Sequence, residues 1–336
     1  MALSIAIKPG STFTSIYVSG HGLVLKEPTL AAFDINDKKR IRAVGYEALA
    51  MRGKAHNVTV VSPVNEGVIT EPEIFSLMLR EYLNKLSSEE AIFRPRYKAI
   101  VGIPLGLSIA EREMYEETFL EAGVHSITLV PSIILSAIGA DLPVSTGKGM
   151  LAINIGGGRT ELALISYGGI INGCGVGIGG LSLDKALVDH VMRKYNAKIT
   201  LDEATKIREE IGSLYDNDIA SRTVSGMDIM SKVPEFVSVG AYDVREVVLP
   251  YFIRICDLAK TIVRSCPASI AHDIMSGGVA ITGGVSNIPG IDALFAERIQ
   301  LPIKAFQRPE YLQIVGAGKL LANDELLYQL IDGGAV

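Results

Sequence analysis

The sequence is poor in several features that mark particular classes of protein. It has no tryptophan, three cysteines, and no charge-free run of about 20 apolar residues that would span a membrane. Cys174, Cys256 and Cys266 do not follow metal-ligand spacing, and an odd number of cysteines does not complete a disulfide framework. Residues 1–7 lack the basic start and long apolar run of a signal peptide. We therefore expect a cytoplasmic protein, soluble or peripheral to the membrane.

An excess of basic residues is also missing. Lysine and arginine number 32 against 37 aspartates and glutamates, which gives a formal charge of −5, and the basic residues are spread along the chain. This distribution argues against a nucleic-acid partner. His125, His190 and His272 are far apart and have no cysteine or carboxylate at ligand spacing, so we interpret them as structural or surface groups. The sequence predicts no metal site built on histidine.

The chain contains instead many apolar residues and a repeated glycine pattern. Hydrophobic residues make up 48% of its 336 positions, which suits about two domains of roughly 150 residues each. The apolar runs 3–7 and 15–18 flank a turn, and the runs 149–155 and 161–166 flank three glycines at 156–158 in the same way. The repeat predicts a duplicated α/β architecture around a central cleft.

Helical periodicity and loop composition set the expected domain limits. Helices are predicted at 72–86, 109–122 with a stop at Gly123, 133–140, 183–195 and 201–211. A long helix is predicted to end near 266, and a last helix lies near 317–323. The segment 216–228 is polar, and 141–148 has the composition of a loop between domains. We expect domain I at 1–143, domain II at 144–316, and a C-terminal helix at 317–336 that returns to domain I.

Glycine-turned hairpins bind phosphates because amide groups of a tight turn converge on the anion and glycine permits close approach. The three glycines at 156–158 alone fit equally well a tight turn without a ligand. Their order in the chain is more specific, since a first hairpin, this second hairpin, and a strand that runs into Gly283 and Gly284 follow one another. That order is the layout of the actin and Hsp70 superfamily.

Local sequence patterns narrow this layout to one family. The patterns lie at 22–28, 43–45, 66–69, 93–96, 137–144, 155–158, 178–180, 210–213 and 266–267. In these segments the sequence resembles the MreB family of bacterial actins, and the resemblance covers essentially the whole chain, in order and with family spacing. The resemblance implies an actin-like fold with subdomains IA, IB, IIA and IIB, a weak ATPase that uses ATP and Mg²⁺, and head-to-tail assembly into protofilaments.

The resemblance also implies a set of nucleotide-binding positions. They are Lys8, Gly10, Ser11, Thr12, Phe13, Gly156, Gly157, Gly158, Arg159, Gly180, Thr205, Arg208, Gly283, Gly284 and Val285. Several carry residues that differ from the family pattern. Thr205 and Arg208 replace a Glu and a Lys, Leu181 replaces an Asp, and Val285 replaces a glycine and is expected to crowd the adenine.

The departures are most severe where the family places acidic groups. Lys8 and Asn154 replace aspartates of the two hairpins, and Pro131 and Ser132 replace adjacent acidic residues, one of which positions the attacking water. Lys8 can contact a phosphate but cannot hold a divalent ion, which needs oxygen ligands. Phe13 replaces an Asn, so its ring either fills phosphate space or turns into a core. We expect no intact catalytic residue, no metal ligand, lost hydrolysis and the loss of tight Mg·ATP binding as well, unless residues elsewhere rebuild the site.

One further segment corresponds to a membrane-binding loop of the family. Ile92 and Phe93 stand before Arg94 and Arg96, a pattern that suits shallow insertion at the inner face of an anionic membrane. The alternative is that the two apolar residues cap the neighbouring strand.

The leading hypothesis is therefore a filament subunit that assembles with itself or with an active MreB paralogue and supports cell shape or internal organisation. Rival hypotheses are a working filament ATPase, a non-polymerising regulatory partner of an active MreB, and a sugar kinase or chaperone ATPase of the same superfamily. The chain lacks a chaperone's peptide-binding domain, and the MreB-like segments argue against a kinase.

Overall fold

The structure is a computed structural model that describes residues 2–35, 37–54, 57–86 and 95–334. It divides into two compact units. The first comprises Met1–Lys148, Ile165–Gly175 and Tyr311–Val336, and the second comprises Gly149–Leu164 and Val176–Glu310. In the described residues, no helix is both long and apolar enough to cross a membrane.

The N-terminal half of the chain contains ten strands and four helices within its described residues. They are β1 Ala2–Pro9, β2 Phe13–Val18, β3 Gly22–Pro28, β4 Ala31–Asp34, β5 Asp37–Val44, α1 Gly45–Met51, β6 Val58–Val61, β7 Val64–Asn65, β8 Val68–Ile69, α2 Pro72–Leu86, β9 Arg96–Ile103, α3 Ile109–Glu121, β10 Val124–Pro131 and α4 Ser132–Gly139.

The C-terminal half contributes the remaining described elements. They are β11 Met150–Ile155, β12 Thr160–Ser166, β13 Gly169–Val176, α5 Gly180–Tyr195, β14 Ala197–Lys198, α6 Leu201–Ile211, β15 Ser221–Asp228, β16 Pro234–Gly240, α7 Ala241–Arg264, α8 Ala268–Gly277, β17 Val279–Thr282, α9 Ile291–Ile299, β18 Ile303–Lys304, α10 Leu312–Leu321 and α11 Asp324–Asp332.

A five-stranded sheet with the order β10-β9-β1-β2-β3 forms the centre of the first unit. β1 pairs antiparallel with β2, as the predicted hairpin requires, and parallel with β9. Ile5, Ile7 and Ile16 are fully buried in the core, together with Phe75 of α2 and Phe119 of α3. The aromatic side chains of the two helices thus cover the sheet.

The predicted helices at 72–86 and 109–122 are confirmed, and local sequence explains their ends. Ser108 caps α3 because its hydroxyl accepts from the Glu111 amide, while the Glu111 carboxylate accepts from the Ser108 amide at 2.7 Å. Gly123 follows the helix with φ +104°, a backbone conformation that favours glycine.

The last helix is not where the sequence placed it. Instead of one helix near 317–323, the structure has α10 and α11, both in the first unit. Asn323 separates them because its side chain accepts a hydrogen bond from the Leu326 amide and so caps α11. The sequence did not predict α11 as a separate helix, because its apolar residues begin directly after this cap.

In the second unit, β11 pairs in parallel with β17, and β17 pairs in parallel with β18. The polar segment 216–228 contains strand β15, which pairs with β14 and β16 in a small separate sheet. Its polarity is that of a one-sided sheet, since Val224 and Gly226 are buried and their neighbours face solvent or lie half-buried.

Candidate functional site

The turn between β1 and β2 is held in place by residues from outside it. The Gly10 carbonyl accepts from the Thr29 hydroxyl at 2.6 Å, and the Ser11 hydroxyl accepts from the Gly67 amide at 2.7 Å. A side chain at Gly10 would place its Cβ 2.7 Å from the Phe13 carbonyl oxygen, so the turn needs glycine there. The first hairpin therefore keeps the tight geometry of a phosphate turn.

The side chains at the ends of this turn differ from those that hold a hydrated cation. Lys8 lies on β1 opposite Ser15. The Phe13 ring lies 6.5 Å from the Tyr46 ring, and the Lys26 ammonium lies 5.1 Å from the centre of the Phe13 ring. Phe13 thus packs in a side-chain cluster of the first unit.

Pro131 and Ser132 lie where β10 ends and α4 begins. The buried Ser132 hydroxyl accepts a hydrogen bond from the Gln313 side-chain amide of α10 at 2.8 Å. The same amide nitrogen would lie 2.6 Å from a Cβ at Gly102. A neutral hydroxyl–amide pair therefore occupies this position, and neither group accepts a proton at neutral pH. Gln313 was not singled out from the sequence, because it is 181 residues from Ser132.

The second glycine turn packs against the start of α5. The carbonyls of Gly156 and Gly157 accept from the amides of Gly180 and Leu181 at 3.0 and 2.8 Å. A Cβ at Gly179 would lie 2.7 Å from the Gly157 carbonyl oxygen, so glycine is needed for this approach. The first amides of α5 are consequently occupied by the turn itself.

Two amides of the turn remain available for a ligand. Within the described residues, the N–H groups of Gly157 and Gly158 donate to no protein acceptor. Arg159, the next residue, is largely buried, and its Nε lies 3.9 Å from the Glu161 carboxylate. Consecutive free amides of a glycine turn form an anion-binding concavity. This part of the site fits a phosphate.

Asn154 places a neutral amide at the end of β11 in the second unit. Its amide oxygen accepts from the Thr282 hydroxyl at 3.3 Å, and the same oxygen would lie 2.7 Å from a Cβ at Gly283. Mg²⁺ sites in proteins are built on one or two carboxylates that support ordered water. The Asn154 side chain offers no carboxylate to such an ion.

Thr205 and Arg208, one turn apart on α6, are both bound to Asp184 of α5. Arg208 donates from Nε at 2.6 Å and from Nη2 at 3.2 Å, and the Thr205 hydroxyl donates at 2.7 Å. Gly180 separates Arg208 from the buried Val285, since a Cβ there would lie 3.2 Å from Arg208 Nη2 and 3.4 Å from Val285 Cγ2. The polar groups of Thr205 and Arg208, which were predicted to bind nucleotide, are therefore bonded within the protein.

Comparison with known proteins decides the family. The sequence model of the MreB/Mbl protein family matches residues 2–329. The cell shape-determining protein MreB of Escherichia coli (strain K12) is 31% identical over 322 residues, which cover 94% of this chain and 92% of the relative. The chain belongs to the MreB/Mbl family. The resemblance inferred from the sequence is confirmed.

Solved structures show that this MreB/Mbl chain has the actin-like fold predicted from the sequence. MreB 5 of Spiroplasma citri bound to AMPPNP has a TM-score of 0.89 and 28% identity, with 99% of each chain covered. A MamK double helical filament has a TM-score of 0.80 at 16% identity, with 96% of this chain and 99% of the other covered, and supports the fold alone.

The structure groups the MreB/Mbl site residues by unit. In the second unit, the glycine turn contacts the start of α5. The first turns of α5 also contact α6 and the loop after β17. Gly284, in that loop, packs near the Cβ of Glu310. In the first unit, Thr12 accepts from the Thr29 amide and belongs to the turn already described. Ile92 and Phe93 lie outside the described residues.

Proposed function

We propose that this MreB/Mbl chain is the subunit of an actin-like filament that supports cell shape or internal organisation and has lost ATP hydrolysis. One combination of features carries the proposal. The chain keeps the family fold over its whole matched length, whereas the resemblance implies acidic groups for metal and water at the positions that Lys8, Asn154 and Ser132 hold here. A filament subunit needs its fold and its two complementary ends, and a hydrolase also needs those acids.

Nucleotide binding in this proposal uses the phosphate turn without a metal. The free amides of Gly157 and Gly158 and the neighbouring Arg159 offer positive charge to an anion. Structures of MreB 5 of Spiroplasma citri hold AMPPNP or ADP, which supports a nucleotide as the anion. ATP affinity should therefore change little when EDTA replaces Mg²⁺, and isothermal titration calorimetry measures this. A strict requirement for Mg²⁺ would contradict a metal-independent site.

Assembly is the part of the proposal that separates it from its rivals. Actin-like subunits stack through a heterologous interface that does not close, so the chain is expected to form head-to-tail protofilaments with itself. Negative-stain electron microscopy of the purified protein over a concentration series is the test. Filaments are expected above a threshold concentration. Monomers at every concentration would exclude self-assembly and favour a regulatory partner, and filaments that form only with an active MreB paralogue would indicate copolymerisation.

We also propose that the filament binds the inner face of the membrane through Ile92 and Phe93. Burying two such side chains contributes roughly 3–6 kcal/mol, which filament avidity would multiply. The double change Ile92→Ser and Phe93→Ser is expected to abolish co-flotation with anionic liposomes. A matched control replaces the exposed Ile219 and Phe236 of the second unit by Ser. Equal flotation of wild type and the Ile92/Phe93 variant would show that the two residues only cap a strand.

A further inference from the structure

A histidine and two carboxylates come together on two neighbouring helices of the second unit. His190 lies on α5, and Asp243 and Glu246 lie one turn apart on α7. One ligand atom of each residue lies within 4.8 Å of the others. His190 Nε2 is 3.0 Å from Asp243 Oδ1. Two ligands about 2.1 Å from a tetrahedral metal ion lie about 3.4 Å apart, so this pair would open by a few tenths of an ångström to hold one.

The cluster is open to an ion from solvent. A cavity of about 320 Å³ lies beside it and is lined by His190 and Glu246, together with two exposed residues of opposite charge, Asp189 and Arg193. Glu246 is exposed and His190 is half-buried, so both reach the cavity from the protein surface. A hydrated divalent ion therefore has both a route to the cluster and a third carboxylate near it.

Asp243 is already oriented as a ligand. Its Oδ2 accepts hydrogen bonds from the Tyr195 hydroxyl at 2.8 Å and from the Gly240 amide at 3.0 Å, which leaves Oδ1 to face His190. Fixing one carboxylate oxygen in this way orients the other toward a metal. Burial raises the pKa of Asp243, but the hydrogen bonds that it accepts, first that from Lys194, lower this pKa well below its ordinary value.

A lysine supplies positive charge to the cluster. Lys194 Nζ donates to Asp243 Oδ1 at 2.5 Å, and the Lys194 side chain is 44% exposed. Because this side chain is partly exposed, its ammonium can move into solvent, at the cost of its hydrogen bond to the buried Asp243 carboxylate. A divalent ion at Oδ1 would replace this charge and would be repelled by it, so lysine and metal are expected to compete.

We propose that His190, Asp243 and Glu246 form a site for a divalent transition-metal ion such as Zn²⁺, which joins α5 to α7 in place of the Lys194 ammonium. One imidazole and two carboxylates suit Zn²⁺, whereas Mg²⁺ and Ca²⁺ prefer oxygen ligands alone. Three protein ligands leave one position of a tetrahedral ion for water. The site is independent of the nucleotide turn and of the proposed assembly.

The test is a titration of the chelator-treated full chain with Zn²⁺ by calorimetry and with Co²⁺ by visible absorption. One ion per chain is expected. His190→Asn and Glu246→Gln should each weaken binding by at least about ten-fold and remove the cobalt bands. Lys194→Met should strengthen binding because it removes the competing charge. The control His272→Asn, an exposed histidine of α8, should leave both signals unchanged.

Two results would overturn the site. One is a wild-type protein that binds neither ion, which would leave Lys194 as the permanent partner of Asp243. The other is binding that stays the same in Glu246→Gln, as expected if the free cysteines held the ion. Glu246 is exposed, so this variant should keep the wild-type melting temperature and decides the question even where His190→Asn disturbs folding.

Discussion

At the scale of single residues, the proposed loss of hydrolysis depends on three side chains that stand at positions where the family resemblance implies acids. Purified protein should release phosphate from Mg·ATP no faster than buffer, because no carboxylate stands at Ser132 to position water or at Lys8 and Asn154 to support a metal. Lys8→Asp and Asn154→Asp, made singly, should not restore turnover. The control is MreB of Escherichia coli assayed in parallel. Turnover similar to that of the relative would show that other residues rebuild the site.

Asp243 offers a second test at this scale, through the pH dependence of stability. Asp243→Asn should lower the free energy of unfolding at pH 7 by about 2–3 kcal/mol, because four donors lose a charged acceptor. The folded pKa lies below the ordinary value, so the carboxylate's contribution is complete above an unfolded pKa of about 3.9 and declines as the pH falls below it.

Denaturant unfolding of wild type and Asp243→Asn at pH 7 and pH 3 measures this difference, which should shrink at the lower pH. Asp189→Asn, a change at an exposed carboxylate of α5, is the control and should have little effect at either pH. A gap between wild type and Asp243→Asn that is as large at pH 3 as at pH 7 would show that packing, and not charge, accounts for the loss.

The sequence indicated which residues line the nucleotide turns, but not which partners they have. Glycine turns are visible because a local backbone requirement leaves a local pattern. The pairs Ser132–Gln313 and Asp184–Arg208 are not visible in the same way, since they join residues 181 and 24 positions apart. Thr205 and Arg208 were singled out by the family resemblance, and their spacing of one helical turn places both on one face of α6 without indicating Asp184 as their partner.

At the scale of elements, the closest packing occurs where α4 meets α10. A Cβ at Gly316 would overlap the Leu135 carbonyl oxygen and lie 2.6 Å from the Gly139 amide nitrogen. Gly316→Ala should therefore separate the helices and reduce the free energy of unfolding by at least about 2 kcal/mol. Gly277→Ala is the matched control, because a Cβ at this helical position meets nothing within 4 Å. It should be neutral or slightly stabilising. Equal melting temperatures for the two variants would show that the helix pair adjusts freely.

Elements with a strong local pattern were predictable, and elements defined by their neighbours were not. Helix α2 was predicted with the bounds that the structure shows, since its apolar residues recur at helical spacing and a proline begins it. Strand β15 looked like a polar stretch because half of its residues are exposed and only two are buried. Its assignment as a strand depends on pairing with β14 and β16, which a single sequence does not show.

At the scale of the whole molecule, the central claim is that assembly has become independent of nucleotide hydrolysis. In an actin-like protein the nucleotide normally biases which conformation assembles. Without hydrolysis, bound ATP is not converted to ADP, so the nucleotide exerts no cyclic control over assembly. If the nucleotide also binds both conformations equally, it shifts the population of neither. The polymer should then respond to protein concentration and to membrane, and should not disassemble as ATP is consumed.

Sedimentation of the protein over a concentration series tests this claim most directly. The critical concentration should be the same without nucleotide, with Mg·ATP and with Mg·AMPPNP, and electron microscopy of the pellets should show filaments in all three. Pelleting that requires Mg·ATP, or filaments that form with Mg·AMPPNP and disassemble with Mg·ATP over time, would contradict the account and establish a filament that still switches on hydrolysis.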